Sequence, residues 1–163
     1  MKSFLNFSAF LAIAAGIAMV IGGGWAVSFT YQNTARENIV TPTDASFPST
    51  PVRGPLTLHA QANVIRKHTL ESTDGQTYAE MARTVPQVDG EGKPVFDEEG
   101  KQVMVPNTAR DIWVTATTFT TALNLAIITY AFSSLIILLG LILIWTGFVF
   151  RSIAKTSQTR YYS

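Results

Sequence analysis

Residues 112–150 carry no formal charge over 39 positions, and from residue 123 onward nearly every side chain is apolar. As a helix, the stretch from 123 to 150 reaches about 42 Å, more than the roughly 30 Å hydrocarbon core of a bilayer. A chain of 163 residues has no soluble core large enough to enclose it. A second apolar run, residues 4–31, follows Lys2 with no further charge. The two runs predict a mainly α membrane protein, a hairpin of two transmembrane helices joined by an extracytoplasmic α+β segment.

Charge is segregated along the chain. All eleven acidic residues lie between Glu37 and Asp111, and the segment between the spans, counted from Arg36, also holds eight basic ones. Lys2 stands at one end, and Arg151, Lys155 and Arg160 stand at the other. The excess of basic residues near the span ends predicts that both termini are cytoplasmic in a plasma membrane. The segment between the spans exceeds the roughly 60 residues over which basic loops are held inside, so it is expected outside. The resulting division is 1–31 for the first transmembrane helix, 32–112 for the extracytoplasmic segment, 113–150 for the second, longer helix and 151–163 for the cytoplasmic tail. Trp25, Phe29 and Tyr31, then Trp113, then Trp145, Phe148 and Phe150 are expected at the membrane interfaces. A cleavable signal sequence would share the single Lys and the small residues around Trp25 and Ala26. Its apolar core is usually about 7–15 residues, however, and this run is longer, so it is read as a retained span.

On the first span, Ala14, Ala18, Gly22 and Ala26 recur every fourth residue and form a small-residue face, while Gly140 and Gly147 stand one heptad apart on the second. Helices in lipid associate by close van der Waals contact, which small side chains permit. These six residues are the candidate helix-packing interface, against either the chain's own second span or a helix of another chain. Ala9 lies off that face. Gly22, Gly23 and Gly24 together weaken the helix and predict a bend. Residues 113–124 are rich in threonine, and an entirely helical 112–150 would reach about 58 Å, so its first third is expected outside the lipid.

Between the spans, Pro42, Pro48, Pro51 and Pro55 predict a turn-rich strap over residues 41–55. Residues 56–81 are expected to be helical in two pieces, the firmer around 58–69, broken at 72–75. Residues 88–95 and 96–103 then repeat one pattern: an apolar residue, Asp, any residue, Glu-Gly-Lys, any residue, Val. The repeat predicts a tight turn at 89–92 and a β-hairpin over 94–105 turning at 98–101. The acidic residues do not match the ligand spacing of a calcium loop, so the hairpin is read as solvated.

Catalytic groups are scarce. The absence of cysteine excludes a disulfide framework, a lipoprotein anchor, a thiolate zinc site and c-type haem attachment. His59 and His68 are nine residues apart on one predicted helix, about 180° apart around its axis, and cannot share a metal from it. No nucleophile elbow or phosphate-binding glycine loop is present. No catalytic residue, cofactor or metal is assigned, and the net acidic segment gives no surface for nucleic acid.

The glycine-rich first span, then residues 31–40 (YQNTARENIV), 54–71 (GPLTLHAQANVIRKHTLE) and 75–80 (GQTYAE), resembles a group of small two-span actinobacterial membrane proteins often labelled aromatic ring-opening dioxygenases. The label implies an iron site, which two histidines on opposite helix faces do not supply. The doubled Glu-Gly-Lys repeat departs from the resemblance as an insertion into a shorter connection. Such proteins are similar to accessory subunits at the edge of the actinobacterial cytochrome bcc-aa3 respiratory supercomplex. The resemblance implies a non-catalytic accessory subunit whose partners are other transmembrane subunits, including those of cytochrome bcc and the aa3 oxidase, and the lipid bilayer. The alternative is a free-standing envelope protein whose extracytoplasmic segment binds a ligand or wall component.

Overall fold

The computed structural model describes residues 2–159, so Arg160 lies outside the described residues. The order of elements is α1 (Lys2–Arg36), α2 (Pro55–Ser72), β1 (Thr84–Pro86), β2 (Met104–Pro106) and α3 (Ala109–Thr159). The fold is mainly helical, with one two-stranded antiparallel sheet. α1 and α3 are each long and apolar enough to cross a membrane. The chain divides into two compact units. One holds α1, residues 51–55 and α3 from Leu125 onward, and the other holds residues 40–50 and 56–124.

In the first unit the buried positions of α1 are Ala9, Gly16, Gly23 and Thr30, spaced by seven. Those of α3 are Tyr130, Ser133, Gly140, Gly147 and Ala154, the last four with the same spacing. A seven-residue repeat is the period that keeps one seam of two α-helices in contact. Gly22–Gly24 lie inside an unbroken α1, so the weak point expected there does not end the helix. Residues 51–55 are fastened to the same unit through Arg53, whose carbonyl accepts hydrogen bonds from the Tyr130 hydroxyl at 2.7 Å and the Thr34 hydroxyl at 3.3 Å.

In the second unit, residues 41–50 close into a loop around buried Thr41. The Thr41 N–H donates to the Thr50 carbonyl at 3.0 Å, its carbonyl accepts from the Ser49 N–H at 3.1 Å, and its hydroxyl reaches the Phe47 carbonyl. α2 begins at Pro55, whose missing N–H costs nothing at a helix start. It buries Leu58, Ala60, Ala62, Val64 and Thr69, while Ile65 and Leu70 are half-buried. It ends where Asp74 and Gly75 take positive φ and the Gly75 N–H donates to the Leu70 carbonyl at 2.8 Å. The second helical piece expected beyond it is a single turn. There the Glu80 carboxylate accepts from both the N–H and the hydroxyl of Thr77, and these bonds lower its pKa.

The eight-residue repeat folds differently from the expected hairpin over 94–105. β2 pairs with β1, Val105 opposite Val85, so residues 84–86 and 104–106 form a stem. Inside it, each repeat closes on itself through the bridges Val88↔Pro94 and Phe96↔Gln102. Three residues eight apart join stem and loops. The Gln87 N–H donates to Val103 at 2.8 Å, that of Val103 to Val95 at 2.9 Å, and that of Val95 to Gln87 at 2.9 Å. The result is a three-way junction of backbone. The loops share one chemistry: Asp89 Oδ1 accepts from the N–H groups of Glu91 and Lys93, and Asp97 Oδ1 from those of Glu99 and Lys101. Gly92 and Gly100 supply the positive φ, 79° and 77°.

Candidate functional site

The first unit uses only part of the small-residue surface of α1. Gly140 lies against Gly16. A Cβ on Gly147 would come within 2.5 Å of Ile13 Cγ1 and 2.8 Å of the Ala9 carbonyl oxygen. Ala9, off the small-residue face by sequence, therefore sits in the seam and is only 2% exposed. Gly23 makes the third close approach, its missing Cβ 3.0 Å from the Ser133 carbonyl oxygen. Ala14, Ala18 and Gly22 are exposed, and Ala26 is half-buried. At 100° per residue Ala14 and Ala18 lie about 160° around α1 from Gly16. No atom lies within 4 Å of a Cβ built on Gly22. Gly16 and Gly23, small residues that the sequence places on faces neighbouring the expected interface, and Thr30 form the seam instead, and the heptad separating Gly16 from Gly23 matches that separating Gly140 from Gly147.

The aromatic residues divide. Trp25, exposed, stacks on Phe29 with ring centroids 5.4 Å apart, and Trp145 is likewise exposed. Trp113 is instead buried inside the second unit. Its indole N–H donates to the Gln76 carbonyl at 2.9 Å and the Thr73 hydroxyl at 3.2 Å, and the Arg66 guanidinium lies 5.6 Å from its ring centroid. Trp113 is only 6% exposed, so the two acceptors satisfy its N–H within the unit, and its ring packs against protein and not outward as expected from the sequence.

The histidines occupy separate settings on α2. His59 Nε2 is 3.1 Å from Asn63 Nδ2, whereas His68 Nε2 is 3.0 Å from Asp44 Oδ2. Lys67 Nζ reaches the same carboxylate oxygen at 2.7 Å. The hydrogen bonds from Lys67 and then His68 lower the pKa of Asp44 to about 2, and Asp44 raises that of Lys67. Among the described residues no group of three or more His, Cys, Asp or Glu is placed to hold a metal. Beside His68, an open groove of about 550 Å³ runs between α2 and the start of α3, lined by Ile65, Ser72, Asp111, Ile112 and Phe119 among others.

No protein-family model matches this chain, and no curated protein or solved structure matches it.

Proposed function

We propose that the chain is a non-catalytic accessory subunit of a larger membrane protein complex, crossing the plasma membrane twice with both ends cytoplasmic and residues 32–112 outside. The observation that carries this reading is the leftover small-residue face. The chain's own second helix takes the seam through Ala9, Gly16, Gly23 and Thr30, and Ala14, Ala18 and Gly22 remain exposed. Small side chains give no gain in lipid, which packs against leucine equally well, but they let another backbone approach. The sequence resemblance suggests the cytochrome bcc-aa3 respiratory supercomplex as the host.

Purification in mild detergent through a tag on the C-terminal tail tests this function. Co-purification of haem and copper proteins in stoichiometric amounts supports the respiratory host, and other stoichiometric subunits redirect the reading to another complex. A lone monomer favours the second reading, a free-standing envelope protein, for which the groove between α2 and α3 is the ligand site. Orientation is tested separately with cysteines introduced at positions 93 and 160 and an impermeant thiol reagent in intact cells. Labelling at 93 alone is expected, and protection of 93 overturns the two-span topology.

A further inference from the structure

The three-way junction presents an apolar face whose chemistry selects a partner. Residues in register across an antiparallel pair share a face, and alternate residues of a strand point to opposite faces. From the pairs Pro86↔Met104, Val88↔Pro94 and Phe96↔Gln102, the even-numbered positions lie on one face and Val85, Val95, Val103 and Val105 on the other. Exposure follows the same parity: the odd-numbered valines are half-buried, whereas Val88, Phe96 and Met104 are 56%, 59% and 51% exposed. These three occupy equivalent places around the junction, each following a residue of the Gln87–Val95–Val103 ring. Pro86, Pro94 and Pro106 are exposed beside them.

We infer that this face is a docking surface for a protein partner whose contact area is apolar at its centre and bordered by Lys and Arg. The inference rests on the reading of the chain as a subunit and names the surface its water-exposed part uses. A contiguous apolar patch with a polar rim is the usual anatomy of a protein–protein contact. The rim decides between occupants. Residues 84–106 hold five acidic and two basic side chains, a net charge of −3, gathered at the loop tips. Lys93 and Lys101 are paired within their own loops, to Glu91 at 2.7 Å and to Glu99 at 3.0 Å. An anionic lipid surface repels such a rim, whereas a basic protein surface complements it. The partner does not add a strand, because proline at 86, 94 and 106 removes N–H donors that an added strand would need. It contacts the side-chain face.

The test uses the full chain in its own membrane, with the photo-crosslinking residue p-benzoylphenylalanine at position 96. Phe96 is exposed, so the replacement leaves the junction intact, and protection of the Val95 and Val103 amides from hydrogen exchange checks that it does. The expected result is a covalent adduct to a peptide of another protein with Lys or Arg close to the crosslinked residue. Adduct yield is expected to fall several-fold in the double variant Glu91→Lys, Glu99→Lys. Adducts to phospholipid or to a second copy of this chain, no adduct, or a yield unchanged by the charge reversal each overturn the docking surface. If the tagged chain still brings down its complex under any of these results, only the docking surface fails. If it purifies alone, the subunit reading fails with it.

Discussion

Gly16 and Gly140 are each other's nearest obstacle across the helix seam. A Cβ on Gly16 would lie 2.5 Å from the Gly140 carbonyl oxygen, and one on Gly140 would lie 2.7 Å from the Gly16 carbonyl oxygen. Both obstacles are backbone, so neither can swing aside, and the whole helix must move to admit a methyl group. Gly16→Ala is therefore expected to destabilise the hairpin by about 1–3 kcal/mol, the usual cost of overpacking. Gly22→Ala meets open space and is expected to stabilise α1 by up to about 1 kcal/mol, the helix-propensity difference. Unfolding of both variants in mixed detergent and SDS micelles measures the opposite signs.

Ala18→Leu probes the other side of α1. Leucine is tolerated in lipid and meets no seam residue, so insertion and hairpin stability are expected to be unchanged. Co-purification with the partner complex is expected to be lost, because a large side chain separates backbones that small ones bring together. Normal co-purification of the variant removes the leftover face as support for the subunit reading. Ala9→Leu is no control here, since Ala9 lies in the seam against Gly147.

The tie between residues 41–50 and α2 has an acid limit. The folded pKa of Asp44 is lowered, so its stabilising effect is complete above the ordinary value of 3.8 and is lost as pH falls from there through about 2. Asp44 stays ionised from pH 5 upward, so its own titration does not alter the tie there. A carbon-detected titration of the Asp44 carboxyl is expected to show a midpoint near 2, moving up toward 3.8 in Lys67→Ala.

Trp113→Phe keeps an aromatic ring but removes the N–H shared by Thr73 and Gln76. The Thr73 hydroxyl still donates to the Gln76 carbonyl at 2.7 Å, so the second unit is expected to lose about 0.5–1.5 kcal/mol, the net contribution of a hydrogen bond. Trp25→Phe, at an exposed position, is expected to change stability by less than about 0.5 kcal/mol. Thermal unfolding of the two variants in detergent compares them.

The long apolar helices were legible because hydropathy acts over many residues and needs no partner. α2 was legible within a few residues for a related reason, since prolines precede it and Asp74-Gly75 follows it. The packing face of α1 was harder to read. Small residues occur on several of its faces, and only the heptads of α3, read jointly with those of α1, single out Gly16 and Gly23. Trp113 was assigned to the interface by its place beside an apolar run, while its actual partners, Thr73 and Gln76, lie 40 and 37 residues away. The stem over 84–86 and 104–106 was hidden by brevity, because two three-residue strands containing proline carry no readable alternation.

The junction of Gln87, Val95 and Val103 also bears on how such a chain is made. Removing residues 88–95 would join Gln87 to Phe96 and leave the Val103 N–H opposite the Gln87 carbonyl in place of that of Val95. The stem would then run without interruption into the Phe96↔Gln102 pair as an ordinary hairpin. A single tandem copying of eight codons therefore converts an ordinary hairpin into a branched one. Each copy brings its own Asp, its own glycine and one more edge of the hydrogen-bonded ring, so the added length arrives already folded.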